Sequence, residues 1–478
     1  RKDMFEAMDK IVLAIVDVIY QPWCVPLLLI AGGIYFTFRT GLMQVRHFGE
    51  SIRVVTEKPS QDGGVSSFGA LMVSTASRVG TGNIIGVCTA IILGGEGSIF
   101  WMWITAFIGG ATAFIESTLA QVYKKKNPDG SSYGGPAFYM RDALNARWLG
   151  VIFSCFVIFT YAVGYNMLAA YNLQSTFKVF SFYGSGTPAI IGTILMVLFG
   201  VIIFGGAKRL INVTGLLVPV MGVIYVAVSI IVLIMNIGNI PHMFGRIFSS
   251  ALDFKAIFGG FAGSCLMWGL KRGLYSNEAG MGSAPNAAAM ADVSHPVKQG
   301  LVQMLSVFID TLLICTATAF MCLSTNVSPA NFVSSSGADA AGYVQASIGS
   351  TLGNFGPIFI ACAMSLFAFT TLIGNYSYCE GCLRFILNRD VTKTETMIFR
   401  GIATVLIFVG AVADAGFVWD TADLAQGLMV ITNVPSILIL GGIAVSALKD
   451  YEKQKKAGKD PHFKSADINL KQDTDFWK

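Results

Sequence analysis

Ser74-Thr-Ala-Ser-Arg-Val-Gly-Thr-Gly-Asn-Ile-Ile-Gly86 interrupts an apolar span that otherwise reads as a membrane-crossing helix. Glycines at 80, 82 and 86, hydroxyls at 74, 75, 77 and 81, and the charged Arg78 would serve poorly in a plain anchor. Irregular backbone at membrane depth is tolerated only where protein buries it or where it lines a cavity. A glycine-interrupted hydrophobic segment is the best sequence-level pointer to the binding site of a secondary transporter.

Composition agrees. The chain has 478 residues, 54% hydrophobic and 13% charged, with mean hydropathy +0.63. That charge content is about half the ~25% usual for soluble domains. The reading is an all-α polytopic membrane protein. The formal charge of +5 arises from loops and a basic tail, so no nucleic-acid partner is expected. Arg1-Lys-Asp-Met lacks a short apolar run followed by a small-residue cleavage site, so no cleavable signal is expected. The nine cysteines lie mostly in apolar spans and form no disulfide framework. Cys379-Glu-Gly-Cys382 has metal-ligand spacing but no second pair, which favours a structural role.

Eleven segments are long and apolar enough to span: about 12–38, 68–93, 98–123, 149–178, 187–205, 213–236, 256–284, 297–323, 353–383, 397–413 and 420–447. The first also reads as an interfacial piece plus a span. Alternate loops carry sixteen Lys and Arg (within 39–58, 124–147, 208–209, 298 and 384–400), against Lys178, Arg246 and Lys255 in the loops between. Positive charge marks the cytoplasmic side. The expectation is a multi-pass protein of the cell membrane with its N-terminus outside and its C-terminus cytoplasmic. Arg1, Lys2 and Lys10 run against that rule, softened by Asp3, Glu6 and Asp9.

A second interruption is expected in the seventh span, around Gly259-Gly-Phe-Ala-Gly-Ser-Cys-Leu-Met-Trp-Gly-Leu-Lys-Arg-Gly273. It follows the first by five helices, and an odd offset inverts direction. The two breaks would then face each other across an in-plane pseudo-twofold axis. This divides the chain into 1–66 (extra N-terminal helix and loop), 67–238 and 239–448 (inverted five-helix repeats), and a polar tail 449–478. The tail is expected to be disordered or to lie at the membrane surface.

Val79-Gly-Thr-Gly-Asn83, Gly134-Gly-Pro-Ala-Phe-Tyr-Met140 and Ser276-Asn-Glu-Ala-Gly-Met-Gly-Ser-Ala-Pro-Asn286 closely resemble the alanine-or-glycine:cation symporter family, the sodium:alanine symporters. Gln299-Gly-Leu-Val-Gln303 and Phe308-Ile-Asp-Thr311 are similar to that family as well, and the resemblance covers nearly the whole chain. It implies a LeuT-type 5+5 inverted-repeat bundle of the amino acid–polyamine–organocation superfamily, with sodium-driven uptake of a small neutral amino acid. Alanine and glycine lead, with serine or glutamine as alternatives. Where Ala169 stands, related sequences often carry Gln, so side-chain selectivity is expected to differ from alanine.

A zwitterionic amino acid needs donors for its carboxylate and acceptors for its ammonium, and broken helices supply both through their backbone. The candidates for the carboxylate are Gly80, Thr81, Gly82 and Asn83. For the ammonium they are the carbonyls of Ala76–Arg78 and of Met267, Trp268 and Gly269. Met267 and Trp268 are also candidates to close the pocket, with Asn166, Asn172 and Thr370 as polar contacts. By analogy with the second sodium site of LeuT-type transporters, the carbonyls of Ala76 and Val79 pair with the hydroxyls of Thr370 and Thr371 to hold Na+. The bland alternative is a threonine bonding its own helix. Sodium is the expected coupling ion, and no organic cofactor is expected. The lipid bilayer and the substrate are the expected partners, and oligomeric state is not legible.

Membrane-embedded charges are functional candidates by default. Arg78 is expected to form a gating or substrate-adjacent ion pair with Glu116 or Glu380, set against a purely structural pair, and Lys271-Arg272 to join Glu278 in a cytoplasmic-side gate; these are the gating candidates. Asp310 stands in the same class. A channel finds no pore-loop repeat here. An enzyme finds no constellation among His47, His242, His295 and His462. Proton coupling, the closer rival, needs a titratable group at the breaks, and the expected breaks hold no carboxylate.

Gly82→Leu is expected to abolish amino acid binding through backbone crowding; normal equilibrium binding of a radiolabelled amino acid would contradict the unwound-segment reading.

Overall fold

The computed structural model describes residues 2–59, 64–334 and 337–478, and within them all side chains except those of residues 2–7, 207 and 208. Arg1 and the side chains of Lys2 and Lys208, which enter the charge pattern above, lie outside the described residues.

Helices account for nearly all of the regular structure, with two short two-stranded hairpins, Lys125–Lys126 with Ser132–Tyr133 and Val333–Ser334 with Gly337–Ala338. Among the described residues seven helices are long and apolar enough to cross a membrane: Ser98–Val122, Arg147–Val179, Arg209–Met235, Pro296–Leu323, Phe355–Leu387, Lys393–Ala411 and Ala415–Lys456. An eighth crossing is the pair Ser67–Arg78 and Gly82–Gly94, bent by 51°. The shorter apolar helices Val25–Arg39 and Thr187–Ile203 correspond to two further expected spans. The first span divides as its alternative reading expected, into Lys2–Ile19 and Val25–Arg39, with Pro26 in the first turn of the second.

Helix lengths recur in order. Crossings of 25, 33 and 27 residues follow the first break, with the 17-residue Thr187–Ile203 between the last two. Crossings of 28, 33, 19 and 42 residues follow the expected second break. Counterparts in this series pack on one another: Ser98–Val122 against Pro296–Val307, and Thr187–Ile203 against Lys393–Ala411.

The seventh segment departs from expectation. Cys265–Asn277 is one continuous helix capped by Ser264, whose hydroxyl accepts from the Met267 amide at 3.2 Å. The backbone leaves the helix later, where Glu278 (φ 57°), Gly280 (φ 89°) and Gly282 (φ 80°) are left-handed. A short helix, Ala284–Ala288, follows. The second break is therefore Glu278–Ser283, not Met267–Gly269. Glycine density misled, because Gly269 serves close helix packing: a Cβ there would stand 2.5 Å from the Ser98 carbonyl oxygen.

The tail also departs from expectation. The last helix runs unbroken to Lys456, and the residues beyond it fold back over the basic end of the bundle. Phe463 N donates to the Ser294 carbonyl at 3.0 Å, and the buried Trp477 donates Nε1 to the Gln121 carbonyl at 2.8 Å. Lys124 Nζ sits 4.6 Å from the Phe476 ring centre and 5.1 Å from that of Trp477, and donates to the Ala291 carbonyl at 2.9 Å. Burial under this cover pushes the Lys124 ammonium down to about 8. An apolar anchor, invisible to the tail's polar composition, orders it.

Trp477→Ala is expected to release the tail, so that trypsin cuts after Lys464 and Lys471 at least several-fold faster than in the parent chain. Equal protection in a limited-proteolysis time course would show that the tail does not depend on this anchor.

Candidate functional site

The first break begins where the Ser67–Arg78 helix runs out. Val79 still donates to Thr75 O at 2.7 Å but takes an extended conformation, φ −75° and ψ 91°. Gly80 N then turns away from the helical ladder and donates to Asn83 Oδ1 at 2.7 Å. The last carbonyls of a helix have no partner within it, so those of Ala76, Ser77 and Arg78 are free to face a ligand. The chain re-enters a helix through wider turns at Gly82–Gly86. The amides of Thr81 and Gly82 open it, at the positive end of its dipole. The expected donor set is thereby narrowed. Gly80 N is spent on Asn83, while Asn83 Nδ2 donates to Asp310 Oδ1 at 2.7 Å and to the Asp310 carbonyl at 3.1 Å.

The two breaks meet through side chains. Ser77 Oγ lies 2.9 Å from Glu278 Oε1, Thr81 Oγ1 lies 2.9 Å from the Tyr275 hydroxyl, and Ser276 Oγ donates to Asp310 Oδ2 at 2.8 Å. Gly82 faces the Tyr275 ring; a Cβ there would come within 3.0 Å of it. Asn172 Nδ2 donates to Thr81 Oγ1 at 3.3 Å, and Asn166 accepts from Asn375 Nδ2 at 2.9 Å. Of the expected polar contacts, Thr81, Asn83, Asn166 and Asn172 thus gather at one place. Sequence reasoning missed Tyr275 and Asn375, and it named Ser77 for its carbonyl, not for the hydroxyl that reaches Glu278 and Asn375. A lone Asn inside the Phe355–Leu387 helix was the available signal for the last.

Thr371 and Thr370 separate. Thr371 Oγ1 is buried without a hydrogen-bond partner and stands where a Cβ on Gly80 would be, 1.8 Å from that position. Gly374, one turn on, lets the same helix touch the backbone at Ala76 and Ser77. Thr370 follows the bland reading: its hydroxyl bonds Leu366 O at 3.0 Å and Phe367 O at 3.1 Å, against Met221 Sδ. Side chains on consecutive helical residues diverge by about 100°, which is why one threonine reaches the break and its neighbour does not.

Met267, Trp268 and Gly269 are corrected as a backbone acceptor set, since their carbonyls lie within the Cys265–Asn277 helix. Trp268 packs on Gly94, at the far end of the half-helix that starts at the first break. With Asn172, Arg272, Trp419 and Asp423 it lines a cavity of about 380 Å³ at the end of the bundle away from the basic loops. A second cavity, of about 650 Å³, enters from the basic end and is lined by Asn286, Met290, Tyr378 and Arg384 among others. No residue lines both.

The charged candidates have partners other than those expected. Arg78, 1% exposed, donates Nη1 to the Gln303 side chain at 3.2 Å and carbonyl at 3.3 Å, and forms no salt bridge among the described residues. Glu116 instead accepts from Asn433 Nδ2 at 2.7 Å, and Glu380 pairs with Arg400 at 2.6 Å. Arg272 pairs with Asp423 at 2.5 Å, beneath the Trp419 ring at 4.5 Å, with Lys271 Nζ 3.7 Å from the same carboxylate. This cluster sits in the half away from the basic end and does not include Glu278. Asp423, a charge inside the apolar Ala415–Lys456 helix, was the missed partner. Nor are the breaks free of carboxylates: Glu278 forms the second one.

Two half-helices broken at matching positions, facing across a bundle with a cavity at each end, define a secondary transporter of the LeuT-type fold. Consistent with this, the structure superposes on the crystal structure of MhsT in complex with L-phenylalanine with a TM-score of 0.55 at 15% identity, covering 87% of this chain and 94% of that one. The chain belongs to the sodium:alanine symporter family, which residues 5–465 match. It is 43% identical over 463 residues to the probable sodium/glutamine symporter GlnT of Bacillus subtilis strain 168, covering 96% of this chain and 94% of that one. It is 42% identical over 456 residues to the amino-acid carrier protein AlsT of the same organism, covering 94% of each. The chain is a carrier and not an enzyme.

Removing one partner of a buried ion pair strands the other charge, at a cost of about 3–5 kcal/mol. Asp423→Ala is expected to destabilise the carrier by that amount, read as a lowered midpoint in thermal unfolding of the purified protein. An unchanged midpoint would mean that Lys271 and Arg272 find other compensation.

Proposed function

We propose that this chain imports a small neutral amino acid, alanine or glycine first and serine or glutamine next, together with sodium by alternating access. The observation that carries the reading is the meeting of the released carbonyls at Ala76–Val79 with the unpartnered hydroxyl of Thr371 over Gly80. Neutral oxygens from an unwound helix and a facing hydroxyl suit a small hard cation. Sodium as co-substrate would take the carbonyls of Ala76 and Val79 and the Thr371 hydroxyl.

The amino acid carboxylate would meet the amides of Thr81 and Gly82, whose half-helix dipole favours negative charge. Its ammonium would meet the acceptors on the Ser77 side of the break. Tyr275, which stacks edge-on with Tyr165 at 4.9 Å and Trp419 at 5.5 Å, would wall the side chain. The absence of a Cβ at Gly82 lets this ring come close, which favours a small side chain.

Rocking of one helix set against the other would expose the breaks to the 380 Å³ cavity and then to the 650 Å³ cavity. The Arg272–Asp423 pair stands at the first of these and suits a gate on that side. The basic end, with its tail, would face the cytoplasm by the distribution of loop charge, in the plasma or inner membrane. The recurrence of helix lengths supports repeats at 67–238 and 239–448, with 1–66 as an addition.

Proteoliposomes holding the purified chain test this directly. Saturable uptake of alanine, glycine, serine or glutamine is expected under an inward sodium gradient, and it should vanish when potassium or choline replaces sodium. In the same assay Thr371→Ala should raise the sodium concentration for half-maximal uptake about tenfold, the equivalent of ~1.4 kcal/mol for one lost ligand. Transport of none of the four, or an unaltered sodium dependence in the variant, would refute the substrate class or the ion site respectively.

A further inference from the structure

The segment that follows the second break is tied down along its whole length. Its short helix, Ala284–Ala288, packs on both the Ser67–Arg78 half-helix and the Ser98–Val122 crossing. Gln121 Nε2 donates to the carbonyls of Ala288 and Ala291, the second at 2.9 Å. Lys124 Nζ takes the Ala291 carbonyl as well, and Ser132 Oγ donates to that of Ala289 at 2.8 Å. Asp292 N then donates to the Val65 carbonyl at 2.9 Å. Val65 immediately precedes Ser66, which caps the Ser67–Arg78 half-helix. One segment therefore ties the second break to the base of the first.

The tail grips this segment at two places. At one, Ser294 Oγ donates to the Pro461 carbonyl at 2.8 Å, Phe463 N answers the Ser294 carbonyl, and the Phe463 ring lies 5.1 Å from that of His295. Asp460 reaches the buried Lys298 there at 3.1 Å. At the other, Phe476 and Trp477 lie on Lys124, Trp477 bonds the Gln121 carbonyl, and Asp475 accepts from the Lys126 amide at 3.1 Å. The two grips are joined within the tail itself. Ser465 N donates to the Trp477 carbonyl at 2.8 Å, and Leu470 N to the Ser465 carbonyl at 3.0 Å. The tail is a closed clasp.

What it clasps borders the 650 Å³ cavity. A smaller cavity of about 160 Å³ has Lys124 and Phe476 in its wall, and it shares Val65, Ser131, Ser132 and Met290 with the larger one. The tail thus stands one layer of side chains from the opening at the basic end. For that opening to widen, the Ser67–Arg78 half-helix has to part from Ala284–Ala288, and the Val65–Asp292 contact lies at its pivot. Hydrogen bonds in a low-dielectric setting are stronger than those in water. Trp477, Phe463 and Lys124 are 6%, 5% and 2% exposed, so the bonds beneath them are kept dry.

We propose that the folded-back tail is a strap on the gate at the basic end. Docked, it fixes 284–292 on Gln121 and Lys124 and holds the base of the first half-helix in place. Undocked, it frees that half-helix to swing and open the 650 Å³ cavity. The inference rests on the carrier reading and adds to it a device that sets how readily one face opens. Among the described residues, no part of the tail beyond Lys456 lines either large cavity, so the strap acts through the gate and not on the ligands.

Local opening is read by amide hydrogen exchange. Exchange of the purified full chain into deuterium, in potassium buffer without sodium or amino acid, tests the strap free of any assumption about substrate. Trp477→Ala and Phe463→Ala loosen opposite ends of the clasp, and each is expected to speed exchange several-fold at 65–79 and 284–293. Trp477→Phe, which keeps a ring on Lys124, should restore most of the protection. The segments 171–178 and 415–423, which border the other cavity, should exchange alike in all three variants and the parent chain. Acceleration confined to 457–478 and 121–126 would reveal a cover that does not reach the gate, and it overturns the proposal. Acceleration in every segment means general loosening and overturns it as well; Phe463→Ala decides the matter where Trp477→Ala does not fold.

In proteoliposomes both alanine variants should need several-fold more sodium for half-maximal uptake, because the Ala76 and Val79 carbonyls move with the freed half-helix. An unaltered sodium requirement overturns the strap's hold on that half-helix. Unchanged exchange at 65–79 in a chain that takes up alanine with sodium overturns the strap and leaves the carrier standing. Accelerated exchange there in a chain that transports none of the four amino acids supports the strap and overturns the carrier reading.

Discussion

The structure depends on one constraint: every backbone N–H and C=O at membrane depth must find a partner inside the protein. A plain helix satisfies it within itself. This chain breaks the rule at Val79–Gly80 and again at Glu278–Ser283, and it survives both breaks because each is answered by the other or by a neighbouring helix. Asn83 closes on Gly80 N, Asp310 holds Asn83 and Ser276 together, and Asn433 Nδ2 takes the Gly280 carbonyl at 2.9 Å. What remains unanswered, the carbonyls beyond Thr75 and the Thr371 hydroxyl, is the set of groups that the proposed cation and amino acid would use.

The same constraint explains the crowding of polar side chains in a bundle that is otherwise apolar. Ser77, Asn166, Asn172, Asn375 and Asn433 are all fully or almost fully buried, yet each finds a partner. A low-dielectric interior makes such contacts strong and makes an unmet one costly. A site assembled in this way is rigid where its network is complete and labile where a donor is short. Glu278, held at a left-handed backbone position, shares the Ser77 hydroxyl with Asn375.

Much of this was legible before folding. The glycines and hydroxyls at 74–86 marked the first break, and the loop cations separated the two ends of the bundle. Buried charges were flagged as functional, but their partners were not. Arg272 finds Asp423, 151 residues away, and Arg78 finds Gln303. Glycine density pointed to 259–273 for the second break, whereas three left-handed residues, one of them Glu278, make it at 278–282. Glycine admits both close helix contact and positive φ, and a sequence does not say which use is made of it.

The sequence by itself determined the class: apolar spans of the right length, their rough number, the gathering of loop cations at one end and the place of the first interruption. These follow from local composition acting against a solvent that accepts no unpaired backbone. Only the tertiary structure decided which threonine of an adjacent pair faces Gly80, which carboxylate sits at the second break, and that a polar tail folds back under Trp477. Each of these turns on where a side chain points after helices distant in sequence have packed, and that direction is fixed by contacts no single segment contains.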